Sequence, residues 1–214
     1  MTTATDFGPS SSQSPLPSNS KSATTAANPA NSAFSFPPAH SFPPFYTLQP
    51  NSTTRQAQLT NWSSLILSYA RHYRLFKLSL SDAVEWDIFH NRRIGRRLSL
   101  KDVREVVEFM VKNEGRAEWV APSGKGGSAG GKEVCWVWWR KPEEWAEILE
   151  GWVEETGQKN SVLTLYELTE GEGTRGTEFY ALDPEILQKS LAVLVRRGKA
   201  QVFGGEGLEG VKFF

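Results

Sequence analysis

The sequence holds one cysteine and three histidines in 214 residues. A single cysteine excludes a disulfide framework and any multi-cysteine zinc site. His40, His72 and His90 are scattered, with no partner four residues away, so no histidine-pair metal site is expected. No apolar run approaches the ~18 residues of a membrane-spanning helix, and the N-terminus lacks the charged-then-apolar layout of a secretory signal. The 24 basic and 24 acidic side chains cancel, so the whole chain exerts no net pull on nucleic acid or anionic lipid. Proline nearly vanishes after position 50, where only Pro122, Pro142 and Pro184 remain of twelve. These absences point to a soluble intracellular protein of one or two domains.

What is present is unevenly distributed. Residues 1–40 contain 27 Ser, Thr, Ala or Pro and two charges, Asp6 and Lys21. Such a segment buries too little apolar surface to offset chain entropy of ~1–2 kcal/mol per residue, so residues 1–41 are expected to be a disordered tail. Residues 41–116 carry 12 basic and 7 acidic side chains, whereas residues 117–214 carry 11 and 16. The zero net charge therefore conceals two halves of opposite sign.

Those halves resemble each other. A shift of 83 residues, without gaps from 61 to 119, lays Trp62 on Trp145 and Leu65 on Ile148. It also lays Leu80 on Leu163, Ser81 on Thr164, Val103 on Ile186, Met110 on Val193, and Gly115-Arg116-Ala117 on Gly198-Lys199-Ala200. The fit is poor where Val106 meets Lys189 and Val107 meets Ser190. The period is too long for a solenoid unit and fits two copies of one small domain.

Each copy reads alike. Capping-box spacing from Thr53 to Gln56 opens a helix whose face is Leu59, Trp62, Leu65, Ile66, Tyr69 and Tyr73, at intervals of three and four. In the second copy Pro142, Glu143 and Glu144 suit a first turn. A short extended piece follows, then a short helix opened by Ser81 or Thr164. A third helix runs from Ser99 or Asp183-Pro184 to Gly115 or Gly198. Two strands close each unit, with glycine-rich turns at Ser123–Gly131 and Gly204–Gly207. Three helices and a hairpin in this order make a winged helix. The expected fold is α+β, mainly helical: a tail (1–41), a docking segment (42–52) and tandem winged helices (53–140 and 141–214).

Little in the chain suggests catalysis. Gly126 to Lys132 reads GxxxxGK, but Glu133 stands where a hydroxyl would hold magnesium, and a strand rather than a helix follows. Gly171, Gly173 and Gly176 spell GxGxxG outside any βαβ unit and read as a surface loop. Cys135 lies in a tryptophan-rich strand and reads as a buried, inert thiol. Arg92, Arg93, Arg96 and Arg97, with Arg71, Arg74 and Lys77, could meet phosphates, lipid headgroups or an acidic protein, or form a solvated loop. Asp102, Glu105, Glu108 and Glu114 on the following helix oppose DNA reading.

Phe42-Pro43-Pro44-Phe45-Tyr46 contains PPxY, a polyproline-type ligand of aromatic grooves such as those of WW domains. Its position before the first helix suggests docking, with Phe45 and Tyr46 as interface anchors. The alternative is that both rings fold back on their own domain.

Four blocks carry a family resemblance. FPPFYTLQPN (Phe42–Asn51), WRKPEEW (Trp139–Trp145), GQKNSVLTLYELTEGE (Gly157–Glu172) and GVKFF (Gly210–Phe214) resemble the vacuolar protein-sorting-associated protein 25 family, the small subunit of ESCRT-II. The resemblance implies tandem winged helices, no enzyme, no cofactor and no specific nucleic acid. It implies a Y-shaped assembly in which two copies join two larger subunits through Phe42, Pro43, Pro44, Phe45 and Tyr46. The second winged helix would recruit an ESCRT-III subunit for sorting of ubiquitinated cargo into multivesicular endosomes. The expected location is cytoplasmic, with recruitment to endosomal membrane through at most peripheral contact; the nucleus is a second option. The long tail and the Ser123–Gly131 insert depart from the family pattern. A winged-helix regulator binding nucleic acid and a PPxY adaptor for WW domains are the competing readings.

Overall fold

The computed structural model describes residues 33–121, 133–204 and 210–214. The tail before residue 33, the GxxxxGK stretch and most of both glycine-rich turns lie outside the described residues.

Helix α1 spans Ser52–Tyr73. Its cap is Asn51, whose side chain accepts from the Thr54 amide at 3.1 Å, rather than the expected Thr53–Gln56 box. The helix starts two residues earlier than that box would place it, so the Asn51 amide oxygen serves the Thr54 amide instead of a threonine hydroxyl serving that of Gln56. Strand β1 (Lys77–Ser79) leads to α2 (Leu80–Ala83), capped at Ser79 instead of Ser81. A two-residue ladder, β2 (His90–Asn91) with β3 (Arg96–Arg97), precedes α3 (Leu100–Phe109), where Ser99 caps the Asp102 amide. Strands β4 (Ala117–Trp119) and β5 (Val134–Val137) complete a sheet of order β1-β5-β4. The second unit repeats this with α4 (Pro142–Glu155), β6 (Val162–Thr164), α5 (Leu165–Glu170), α6 (Pro184–Arg196), β7 (Ala200–Phe203) and β8 (Gly210–Phe213), in sheet order β6-β8-β7. Two winged helices in tandem are present.

The repeat is real, but its register is not constant. The αL residues that end the first helices, Arg74 and Gly157, stand 83 positions apart. The caps of the short helices, Ser79 and Thr164, stand 85 apart, and the caps of the third helices, Ser99 and Asp183, stand 84 apart. Leu80 therefore corresponds to Leu165, not Leu163. In the third helix Val103, Val106, Val107 and Met110 correspond to Leu187, Ser190, Leu191 and Leu194, all buried. The poor middle of the ungapped match was a one-residue slip. A π turn at Met110–Glu114 takes up the extra residue, and Gly115 and Gly198 return to a separation of 83.

Each unit has its own core, built around Trp62 or Trp145, both fully buried. The first sheet lies between the two cores. Cys135 and Val137 of β5 point into the first, while Trp136 and the following Trp138 pack into the second with Phe76. This explains why β5 has no polar alternation. Trp136 and Trp138 stack 5.5 Å apart, with Lys77 Nζ 4.4 Å from the Trp136 ring centre.

Opposite charges meet at this junction. Glu178 pairs with Arg71 at 3.3 Å and with Arg140. Arg74 donates to the carbonyls of Glu178 and Tyr180 at 3.1 and 2.7 Å. Lys77 pairs with Glu185, and Lys189 with Glu118 at 3.5 Å. Arg71, Arg74 and Lys77 of the basic first half thus bind the acidic second half and already have protein partners rather than phosphate.

Candidate functional site

The segment before α1 is folded from residue 33, so residues 33–41 are not tail but part of the first domain. Their composition is that of a tail, yet Phe34 and Phe36 supply apolar surface that the window average hides. Phe34 meets the edges of Tyr69 and His72 on α1 at 5.2 and 5.4 Å between ring centres. Phe36 stacks on His40 at 4.0 Å. Two successive 3₁₀ turns follow, Pro38–Ser41 and Pro43–Tyr46, each opened by proline.

His40 is buried, and three groups define its state. Its Nε2 lies 2.9 and 3.2 Å from the Asp87 and Ile88 carbonyls, and so donates. Its Nδ1 lies 3.2 Å from Asn91 Nδ2. The Asn91 oxygen accepts from the Arg93 and Ile94 amides, which turns the amide nitrogen toward the ring. Nδ1 must accept, so the neutral imidazole is the form that fits. Burial lowers the His40 pKa, against the opposing pull of the Asp87 and Ile88 carbonyls.

The second turn divides its side chains. Phe45 and Tyr46 are buried, whereas Phe42 is 60% exposed and Pro43 and Pro44 also face solvent. Phe45 stacks on Trp62, and its carbonyl accepts from Trp62 Nε1 at 3.1 Å and from Gln58 Nε2 at 2.8 Å. Tyr46 donates its hydroxyl to the His40 carbonyl at 2.9 Å. Burial pushes its phenol up to about 12. The expectation that Phe45 and Tyr46 are interface anchors is therefore corrected. A ring stacked on a core indole with no water between gains more than one left on the surface. The PPxY tyrosine is not available to a WW-type groove.

Phe42, Pro43 and Pro44 remain as a rigid surface ridge. Beside them runs a groove of about 380 Å³ lined by Phe42, Pro44, Ala57 and Asn61. Gln58 holds the turn against α1: its Nε2 donates to Phe45 and Thr47, and its Oε1 accepts from the Gln49 amide at 3.1 Å. Sequence reading passed over Gln58 and Asn91. A glutamine four residues before Trp62, on the apolar stripe of α1, was the available signal for the first; a lone asparagine in a polar loop offered none.

The arginine cluster is only partly free. Arg93 donates to Ser41 Oγ at 2.9 Å, and Arg97 pairs with Glu85, while Arg92 and Arg96 are exposed. On α3, Glu105 binds Arg55 and Glu108 binds Lys112, so that helix presents mixed charge. Gly171, Gly173 and Gly176 lie around a 3₁₀ turn after α5, without the strand–turn–helix of a dinucleotide site. Cys135 is fully buried, and burial pushes its thiol up to about 12. Among the described residues no three His, Cys, Asp or Glu side chains group as a metal site, and no helix is long and apolar enough to cross a membrane.

The tandem winged helices agree with comparison to known proteins. The ESCRT-II complex subunit family model matches residues 39–183. The zebrafish (Danio rerio) vacuolar protein-sorting-associated protein 25 is 42% identical over 164 residues, covering 77% of this chain and 89% of that one.

The chain belongs to the ESCRT-II complex subunit family.

Solved structures agree with this membership. The crystal structure of subunit VPS25 of the endosomal trafficking complex ESCRT-II superposes with a TM-score of 0.71 at 31% identity, covering 84% of this chain and 98% of that one. A chain of the endosomal complex ESCRT-II (VPS22/VPS25/VPS36) superposes at 0.69 and 31% identity, covering 83% and 98%. The family match starts at Ala39, inside the segment expected to be tail, and takes in the whole Phe42–Tyr46 turn. Family membership makes this chain a complex subunit rather than an enzyme.

Proposed function

We propose that this chain is the small, non-catalytic subunit of an ESCRT-II assembly, docking through the Phe42–Pro44 ridge onto larger subunits of the VPS22 and VPS36 type. The observation that carries the reading is the division of one turn. Phe45 and Tyr46 are locked into the domain, so Phe42, Pro43 and Pro44 are held in place before any partner arrives. A preordered ridge loses little entropy on docking, and an exposed phenylalanine followed by two prolines suits an aromatic-lined groove. Two copies would attach in this way, each leaving its second winged helix free. That free domain recruits an ESCRT-III subunit, for sorting of ubiquitinated cargo at the cytosolic face of endosomes.

The test is co-purification with both larger subunits. The double substitution Phe42→Ala and Pro44→Ala is expected to leave melting of the isolated chain unchanged while lowering recovery of the complex at least tenfold. Normal assembly by this variant would refute the docking reading. A nucleic-acid regulator is disfavoured by the acidic side chains of α3 and by the protein partners already held by Arg71, Arg74 and Lys77.

A further inference from the structure

We propose that the β2–β3 hairpin and the first turn of α3, with Arg92, Arg93, Arg96 and Lys101 exposed, form a contact surface for a bilayer that carries anionic phospholipids.

Positive charge in the first half of the chain is concentrated here. Residues 92–101 hold five basic side chains, Arg92, Arg93, Arg96, Arg97 and Lys101, and no acidic one. That equals the whole excess of residues 41–116, where 12 basic side chains stand against 7 acidic. Outside this stretch the fold uses most of the cations. Arg55 pairs with Glu105, Arg71 with Glu178, Lys77 with Glu185, Lys112 with Glu108 and Arg116 with Glu144. Inside it Arg97 has a carboxylate, Glu85, and Arg93 donates to a neutral hydroxyl, that of Ser41. Arg92, Arg96 and Lys101 have no ion-pair partner among the described residues.

The hairpin holds these cations in place. His90 and Asn91 pair with Arg97 and Arg96. The Leu98 amide donates to the Phe89 carbonyl at 2.9 Å, and the Gly95 amide to the Arg92 carbonyl at 3.3 Å. The Asn91 side-chain oxygen accepts from the Arg93 and Ile94 amides. Like charges fixed close together repel, and an anionic surface is what offsets them.

Three observations choose a bilayer as the occupant. First, the charge is spread over a surface rather than gathered in a pocket. A recess of about 430 Å³ beside the hairpin takes in Ser41, Asp87, Arg92 and Arg93, but neither Arg96 nor Lys101. A lone phosphate in that recess would meet the Asp87 carboxylate and leave two cations unused. Second, Leu100, 40% exposed, lies among the cations. An apolar side chain flanked by basic ones suits the boundary between headgroups and acyl chains. Guanidinium groups match lipid phosphates with two parallel hydrogen bonds. Third, the recess shares no lining residue with the groove along the Phe42–Pro44 ridge. The hairpin is thus a surface distinct from the proposed subunit-docking groove. Glu105 and Glu108, further along α3, oppose a nucleic-acid duplex.

The experiment is sedimentation of the full chain with vesicles of phosphatidylcholine alone, or of phosphatidylcholine with phosphatidylserine. Wild type is compared with Arg92→Gln plus Arg96→Gln, and with Lys159→Gln plus Arg175→Gln. Lys159 and Arg175 lie on the second domain, so their substitution removes the same charge elsewhere. Each cation near an anionic leaflet is worth about fivefold in affinity. The expected result is binding to the phosphatidylserine vesicles only, lowered at least tenfold by the hairpin pair and unchanged by the control pair. Melting of each variant verifies folding. No binding to phosphatidylserine vesicles, or equal loss in both pairs, would overturn the proposal. Displacement by inorganic phosphate, at an ionic strength where sodium chloride has no effect, would show a free-phosphate site instead and overturn it. Vesicle binding kept by the hairpin pair, with recovery of the larger subunits lost, would make an acidic face of those subunits the occupant and overturn it as well.

Discussion

The Phe45 ring lies flat on the Trp62 indole, ring centres 4.2 Å apart and planes 12° apart. The same indole donates its N–H to the Phe45 carbonyl. One residue of the N-terminal segment thus closes the top of the first core, by stacking and by hydrogen bonding together. Phe45→Ala is expected to destabilise the isolated chain by about 3–5 kcal/mol. Phe42→Ala, three positions earlier and exposed, should change stability by less than about 0.5 kcal/mol. Urea denaturation of the two variants checks the contrast.

Trp145, the repeat partner of Trp62, is equally buried, but among the described residues no N-terminal segment reaches it. Its Nε1 has no hydrogen-bond partner among the described residues, and Trp139 packs edge-on against the ring at 5.2 Å. Trp62→Phe removes a made hydrogen bond, worth about 1 kcal/mol net, whereas Trp145→Phe removes an unsatisfied donor. Both substitutions also lose ring volume. Trp62→Phe should therefore cost more than Trp145→Phe by roughly 1–2 kcal/mol, read from paired denaturation curves. Equal costs would contradict this account of the two indoles.

His40 predicts a pH dependence. Its folded pKa lies below the ordinary 6.5, so the unfolded chain takes up a proton more readily than the folded one. The stability this group contributes is present above pH 6.5 and is lost as pH falls toward the folded value. Protonation would also set a second N–H against the Asn91 amide. Denaturation at about pH 7.5 and about pH 5.5 should show lower stability at the acidic end, and His40→Gln should flatten that difference. A wild-type slope retained in His40→Gln would assign it elsewhere.

Glu178 gathers two arginines from across the domain junction. The pairs are partly exposed, so Glu178→Ala should cost only about 0.5–1 kcal/mol, and most of the loss should disappear in about 1 M salt. A double-mutant cycle with Arg140→Ala measures the coupling. A salt-independent loss would mean that packing, not charge, is what Glu178 contributes.

How much of this was legible beforehand depended on the distance between the interacting residues. The Ser99 and Thr164 caps lie within three residues of the amides they serve, and both were readable. The third-helix slip was not, because a π turn changes the count without changing the hydrophobic pattern. The fate of Phe45 and Tyr46 was not legible either. Their neighbours are Trp62 and His40, and a Pro-Pro-Phe-Tyr string is compatible with a partner's groove or with its own domain. Phe34 and Phe36 look like two aromatic residues in a tail until Tyr69 and His72, one helix away, are brought beside them.

The sequence by itself determined the tandem winged helices, the family and the opposite charge of the two halves. Helical periodicity, stop glycines and four matching blocks are local patterns, and local patterns survive without coordinates. The tertiary structure alone decided which surfaces remain free. It turned the first sheet into a dry layer between two cores, used Arg71, Arg74 and Lys77 to bind the second domain, and buried Phe45 and Tyr46 while leaving Phe42, Pro43 and Pro44 outside. Exposure depends on what else packs nearby, and for these residues the neighbours include side chains more than 100 positions away, as between Lys77 and Glu185.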